Sequence, residues 1–192
     1  YINNEHELAI DERKVHMEEN MIITISRQYG SGGSQVAKIL AERMGVWCYD
    51  RDILTIAAER IGNEELTEDT INDLNYKRND VASAGITGVM GMGNIPIYNQ
   101  MFLEQAKIIR KLANYGSAVF LGRCADYILK DIKNCTSVYL YADREFRKNR
   151  VKEIYGSNAE IMDKEEKNRA DYYNYYTGNR WGDINNYDFA IN

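Results

Sequence analysis

Three glycines and a serine, Gly30, Gly32, Gly33 and Ser34, lie between a run of β-branched residues and a segment of helical periodicity. Glycine permits positive φ and lets backbone N–H groups converge on an anion at the start of a helix. A tight strand-to-helix turn without a ligand is the alternative. The turn follows the first strand of the domain, and the Ser34 hydroxyl could bind Mg²⁺. These features favour a phosphate site at residues 30–34.

The turn departs at two positions from the P-loop pattern GxxxxGK[ST]. When SRQYGSGGS is aligned with that pattern, Arg27 stands at the first glycine and Gly33 stands at the lysine. The missing lysine removes a cation from phosphates whose charge must be neutralised during phosphoryl transfer. Arg27 is the nearest replacement, because a guanidinium can donate two hydrogen bonds to phosphate oxygens. A solvated loop arginine is the alternative.

Further candidate residues follow two predicted strands. Arg123 comes directly after the buried run SAVFLG, and Asp50 and Arg51 lie at the end of the run VWCYD. Ligands of open α/β sheets bind at the carboxyl ends of the strands. Arg123 is therefore predicted to bind a phosphate group, with a surface helix cap as the alternative. Asp50 could accept a hydrogen bond from a base or ribose and Arg51 could bind phosphate, or Asp50 could cap a helix.

Arginines and aromatic residues are concentrated in the last third of the chain. Arg144, Arg147 and Arg150 are spaced three apart and share much of one helix face, which is most often solvated. Residues 172–181 contain five aromatic residues and Arg180, a density that predicts ring packing beneath a lid rather than base stacking. No basic surface surrounds them, which argues against a nucleic-acid partner.

Strand-like and helix-like segments alternate along the chain. Strands are predicted at 21–26, 46–50, 117–122, 136–142 and 187–191, and helices at 34–45, 52–62, 102–116, 125–132, 143–156 and 158–176. This alternation indicates an α/β fold with a doubly wound parallel sheet. Residues 63–100 are polar and then glycine-rich, without a clear period, and predict a mobile functional segment.

Composition limits the class of protein. The 192 residues suit one domain, and the three cysteines, without a CxxC pair, predict a reducing compartment. The formal net charge is −5, of which −4 lies in residues 1–20, an extension that could serve an oligomer contact. The nearly neutral remainder favours small-molecule partners over nucleic acid. No apolar run reaches the ~20 residues of a membrane span, and the absence of a signal-peptide pattern predicts the cytoplasm.

Four segments resemble a known family. ITISRQYGSGG, YDRDIL, FLGRCADYIL and RADYYNYYTGNRWGDINNYDFAIN are similar to the cytidylate-kinase-like proteins, a divergent branch of the P-loop nucleoside-monophosphate kinases. The resemblance covers residues 21–192. It implies phosphoryl transfer from ATP, with Mg²⁺, to a nucleoside monophosphate, CMP or dCMP above others. It also implies a helical monophosphate-binding insert at about 63–100 and a lid at about 155–181.

The resemblance implies a role for each candidate residue. The residues that would bind the ATP phosphates are Gly30, Ser31, Gly32, Gly33, Ser34 and Arg150, and Ser34 would also bind the metal. The residues that would bind the acceptor are Asp50, Arg51 and Arg123. Those that would act in catalysis are Arg27, Arg169 and Arg180. Leu121 and Cys124 stand where true cytidylate kinases have acids. A nucleotide sensor on the same fold, a kinase of a non-nucleotide acceptor and an interaction module built on the extension are the alternatives.

Overall fold

The computed structural model describes residues 20–50, 53, 97–156 and 158–192. The predicted helix at 52–62 apart from Ile53, nearly all of the predicted extension and most of the predicted insert lie outside the described residues. Arg51, a predicted acceptor-binding residue, lies outside them as well.

Strands and helices alternate through most of the described chain. The strands are β1 (Ile22–Arg27), β2 (Trp47–Tyr49), β3 (Ala118–Leu121), β4 (Cys135–Leu140) and β5 (Phe189–Ile191). The helices are α1 (Gly33–Met44), α2 (Ile97–Tyr115), α3 (Ala125–Ile128), α4 (Arg144–Tyr155) and α5 (Ala159–Thr177), followed by a 3₁₀ turn at Ile184–Asn186.

The described strands form one parallel sheet in the order β2-β3-β1-β4-β5. The predicted α/β fold is therefore confirmed. Because β1 lies between β3 and β4, the turns that follow these three strands meet at one edge of the sheet. Each connection between parallel strands must return the chain to the opposite edge of the sheet, and the helices that make these connections lie on both faces.

The two faces of the sheet carry separate apolar clusters. Ile25 and Val119 pack with Ala37 and Ala41, which lie four residues apart on α1. On the other face, Phe120 packs with residues of α2, α3 and α5. This burial fixes α1 so that its amino end lies beside the carboxyl end of β1.

Several element boundaries differ from the predictions. β1 continues to Arg27, which pairs with Leu140 of β4, so Arg27 is a strand residue and not a loop residue. α2 begins at Ile97 instead of 102, directly after the sequence's only proline, and α3 ends at Ile128 instead of continuing to 132.

The last predicted strand also needs correction. β5 begins at Phe189 rather than at 187, and its residues are exposed because it pairs only with β4 at the edge of the sheet. The predicted strand is present but lies at the edge of the described sheet and not in its core. Among the described helices, none has the length and apolar character needed to cross a bilayer.

Candidate active site

The glycine turn between β1 and α1 forms one wall of an open cleft. Gly30 and Gly32 have φ of +81° and +87°, and Gly32 caps α1 without any side-chain hydrogen bond. The first N–H groups of a helix have no partner within the helix, so this end of α1 can bind an anion. The cleft, of about 380 Å³, also borders α4, and we call it the glycine-loop cleft.

Gly33 is required by the course of the Arg27 side chain. A Cβ added at Gly33 would lie 2.5 Å from the Arg27 Cβ and 2.6 Å from its Cγ. These atoms are close to the Arg27 backbone and cannot move far. Any side chain at position 33, the lysine of the P-loop pattern included, therefore conflicts with the observed Arg27. Arg27 and Gly33, the two departures from the P-loop pattern, are therefore packed against each other.

The guanidinium of Arg27 reaches the turn after β3. A Cβ added at Gly122, whose φ is +72°, would overlap Nη1 of Arg27. Nη2 of Arg27 lies 3.9 Å from the Asp50 carboxylate, and the Arg27 side chain is 16% exposed. The structure therefore brings Arg27 and Asp50, two predicted site residues, into one ion pair at the carboxyl edge.

A second, smaller cavity of about 100 Å³ lies beyond Arg27, between the β3–α3 turn and α5. Its charged and polar lining consists of Ser26, Arg27, Arg123, Asn168 and Arg169, with Gly122, Cys124, Tyr172, Tyr173 and Trp181 completing the wall. Three of these described residues are arginines and none is an acid. We call it the arginine cavity. Its charge suits a compact anion.

Arg169 joins the two cavities. Its Nη1 donates a 2.8 Å hydrogen bond to the carbonyl oxygen of Arg27, and its guanidinium lies 5.1 Å from the centre of the Tyr29 ring. Both Arg169 and Arg27 line the glycine-loop cleft and the arginine cavity. The two cations therefore lie where the cavities meet.

The arginines of α4 have different surroundings. Arg150 donates to Gln35 of α1 at 2.7 Å and lies against Gly32, so it borders the cleft. Arg147 donates to the carbonyl oxygens of Ala142 and Tyr29 and so ties α4 to the end of β1. Arg144 instead points outward and pairs with Asp163.

The remaining predicted site residues divide into two groups. Ser34 lines the cleft, whereas the Ser31 hydroxyl donates to the carbonyl oxygen of Gln28 at 2.9 Å and so holds the turn together. Arg123 lines the arginine cavity with a φ of +58°. Arg180 is exposed and is not among the described residues that line either cavity. The structure therefore does not bring Arg180 to the other candidates.

Asp126 is a buried acid that the sequence analysis missed. It is 7% exposed and accepts hydrogen bonds from Tyr173 at 2.7 Å and from Ser26 at 3.3 Å. Burial raises the pKa of this carboxyl, against the opposing effect of the two hydrogen bonds. Asp126 thus joins β1 to α5 behind the arginine cavity. An acid between apolar residues of α3 was the signal that could have identified it.

Glu166 of α5 was also missed. One of its oxygens accepts from the Tyr29 N–H at 2.7 Å, and the other accepts from the indole N–H of Trp181 at 2.8 Å. A single carboxylate therefore fixes α5 and the turn after it to the end of β1. Glutamates are common on solvated helices, so nothing in the local sequence distinguished this one.

Magnesium has few protein ligands available in the described part of the chain. No group of three His, Cys, Asp or Glu side chains is placed there to hold a metal ion. A magnesium ion that enters with ATP takes most of its ligands from phosphate oxygens and water. The Ser34 hydroxyl, which lines the cleft at the start of α1, fits that partial role.

The chain is similar to known proteins in sequence and in overall fold. The sequence model of the cytidylate kinase-like family matches residues 22–192. An uncharacterized protein from Eubacterium ventriosum ATCC 27560, known as a crystal structure, is 30% identical, with a TM-score of 0.62 over 89% of this chain and 86% of its own. No curated protein matches the chain significantly.

Two more distant structures share the fold. TT1252 from Thermus thermophilus is 18% identical, with a TM-score of 0.53 over 91% of this chain and 90% of its own. Shikimate kinase from Bacteroides thetaiotaomicron is 14% identical, with a TM-score of 0.51 over 91% of this chain and 87% of its own. At these identities the likeness extends to the architecture alone.

Proposed function

The chain belongs to the cytidylate kinase-like family, and on that premise we propose that it transfers a phosphoryl group from ATP to a nucleoside monophosphate, with CMP or dCMP as the expected acceptor. Membership of a kinase-like family supports phosphoryl transfer in general. The choice of acceptor rests on the family resemblance and on the arginine cavity.

One observation carries the proposal: Arg27 and Arg169 each line both cavities. A phosphoryl group that leaves a donor in the cleft and reaches an acceptor in the cavity would pass beside both of them. Charge on the transferring group is stabilised best by cations already held in position. Arg27 is held by Asp50, and Arg169 by the Arg27 carbonyl and the Tyr29 ring. Together they replace the absent lysine.

On the donor side, backbone N–H groups of residues 30–34 bind the ATP phosphates, and Arg150 adds a cation across the turn. Ser34 contributes one ligand to Mg²⁺, which neutralises phosphate charge when it is bound. Lys38, one turn further along α1, also lines the cleft and supplies another positive charge. No general base is needed, because the acceptor phosphate is already ionised.

On the acceptor side, Arg123 binds the acceptor phosphate. Cys124 stands where true cytidylate kinases have an aspartate, and the nearest acid along the chain is Asp126. The Asp126 carboxylate already accepts from Ser26 and Tyr173. It therefore does not substitute for the missing contact to a cytosine amino group, and base discrimination is expected to be weaker than in true cytidylate kinases.

The test is a direct assay for diphosphate products. The protein is incubated with ATP, Mg²⁺ and each of CMP, dCMP, UMP, AMP and GMP, with a parallel titration of ATP binding by calorimetry. Formation of CDP or dCDP faster than the other diphosphates is the expected result. Transfer to none of the five, with ATP binding intact, would reject this function in favour of a nucleotide sensor or a kinase of a non-nucleotide acceptor.

A further inference from the structure

The geometry points to Asn168 as a fourth phosphate-binding residue of the arginine cavity, beside its three arginines. We infer that the side-chain amide of Asn168 donates a hydrogen bond to an oxygen of the acceptor phosphate. This inference deepens the proposed function and rests on it, because it assigns the arginine cavity to the acceptor.

The first observation is an unsatisfied donor. Asn168 is 9% exposed, and its amide nitrogen is buried without a hydrogen-bond partner among the described residues. Nearly all buried polar groups in proteins are paired, so an unpaired amide calls for a ligand or a functional reason. Asn168 also lines the arginine cavity. A ligand in that cavity is therefore a candidate for the missing partner.

The second observation is the position of Asn168 on α5. Asn168 and Arg169 are adjacent, and Tyr172 and Tyr173 follow one turn later, so these four residues form one strip of the helix. The whole strip lines the cavity. Hydrogen bonds fix this strip at two points, through Tyr173 to Asp126 and through Arg169 to the end of β1. The part of α5 that carries Asn168 is thus held in place before a ligand enters.

The third observation is the chemistry of the wall. Arg27, Arg123 and Arg169 contribute only donors, and the Ser26 hydroxyl donates to Asp126. A ligand that satisfies the Asn168 amide must bring an acceptor, and the three arginines favour one that carries negative charge. The cavity of about 100 Å³ is well below the ~300–1,000 Å³ of pockets that enclose whole small molecules. A phosphate group fits both requirements, and a nucleoside does not.

The experiment compares Asn168→Leu with Asn114→Leu in the full chain. Leucine keeps the branched heavy-atom skeleton of asparagine, with bulkier methyl groups and no donor, and Asn114 is exposed near the end of α2, ahead of β3. Calorimetry measures the dissociation constants of CMP and of inorganic phosphate for each protein. We expect Asn168→Leu to weaken both about 10-fold or more, on the scale of a hydrogen bond to a charged group, and Asn114→Leu to change neither.

Thermal unfolding separates binding from folding. Leucine removes an unsatisfied buried amide, which offsets the cost of its bulkier methyl groups, so the midpoint of Asn168→Leu should stay near that of the wild type. A structural asparagine would instead lose hydrogen bonds as well as its fit, and the midpoint would fall clearly. If the leucine variant does not fold, Asn168→Ala serves in the same titrations.

The results test the Asn168 contact and the proposed phosphoryl transfer separately. Unchanged affinity for inorganic phosphate in the Asn168 variants, or a wild type that does not bind phosphate at millimolar concentration, would overturn the inference. A loss confined to CMP would place the contact on the base or sugar and overturn it too. If phosphate binding depends on Asn168 but no monophosphate is converted, the proposed transfer fails and the inference stands.

Discussion

The glycine-loop cleft and the arginine cavity lie on opposite sides of Arg27 and differ in how they present positive charge. The cleft presents the glycine turn and the amino end of α1 on one wall, with side chains of α1 and α4 around it, whereas the smaller cavity is lined mainly by side chains of β1, the β3–α3 turn and α5. A backbone wall suits a ligand recognised by its phosphates alone. A side-chain wall can discriminate among groups that differ in shape and charge.

This difference between the cleft and the cavity determines where specificity can change. Substitution of one cavity side chain alters the acceptor site without disturbing the turn, because Arg123 and Asn168 come from different elements. The cleft lacks that freedom, since its glycines are packed against Arg27, Arg147 and Val151. We therefore expect variants of the two regions to fail in different ways.

The largest effect is expected where the regions meet. Arg27→Ala removes a cation shared by both cavities and should lower kcat about 10²-fold or more, on the scale of losing one preorganised donor. Steady-state kinetics at saturating ATP and monophosphate measure it. Arg43→Ala, an exposed arginine in the last turn of α1, is the matched control and should leave kcat unchanged. A wild-type kcat in Arg27→Ala would contradict the shared role.

Arg123→Ala provides the contrast within the same assay. Arg123 lines the cavity and not the cleft, so its loss should raise the KM of the monophosphate with little change in the KM of ATP. Equal increases in both KM values would contradict the assignment of ATP to the cleft and of the monophosphate to the cavity.

A stability effect of intermediate size is expected at Gly33. Gly33→Ala places a Cβ against the Arg27 side chain and should lower the free energy of unfolding by about 1–3 kcal/mol, the usual cost of overpacking. Urea denaturation measures it. Gly116→Ala is the control, because an added Cβ there meets nothing within 4 Å.

A double-mutant cycle sharpens this result. In an Arg27→Gly background the colliding atoms are absent, so Gly33→Ala should cost little. An undiminished cost would show that the penalty comes from the turn itself and not from Arg27.

The smallest effect is expected behind the cavity, at Asp126. The raised pKa means that the folded state holds the Asp126 proton more tightly than the unfolded state does. Stability from this group is therefore fully present below the ordinary carboxyl pKa and declines as pH rises through the raised value. The difference in unfolding free energy between wild type and Asp126→Asn should fall across that interval. A difference that rises with pH would mean that hydrogen bonds outweigh burial.

The sequence predicted the parts of the site that depend on local order. The glycine turn, the strand before it and Arg123 after β3 are each contained in a few consecutive residues, and the resemblance named their family. The placement of Asn168, Glu166 and Asp126 depends on how α5 packs against β1 and α3. No short segment of the sequence indicates that packing. Arg27 was identified by its place in a pattern, but its contact with Gly122 depends on two strands lying side by side.

The contact between Arg27 and Gly33 also constrains the order in which a loop of this kind can arise. In a chain that keeps the P-loop lysine, an arginine at position 27 has no room for the course it takes here. In a chain in which glycine has first replaced that lysine, the space beside position 33 is open. An arginine at position 27 can then occupy that space without strain. A one-residue-at-a-time route from the P-loop pattern to the observed pair would therefore meet the least strain through a loop with glycine at both positions, in which Arg150 and Arg169 are the arginines left beside the cleft.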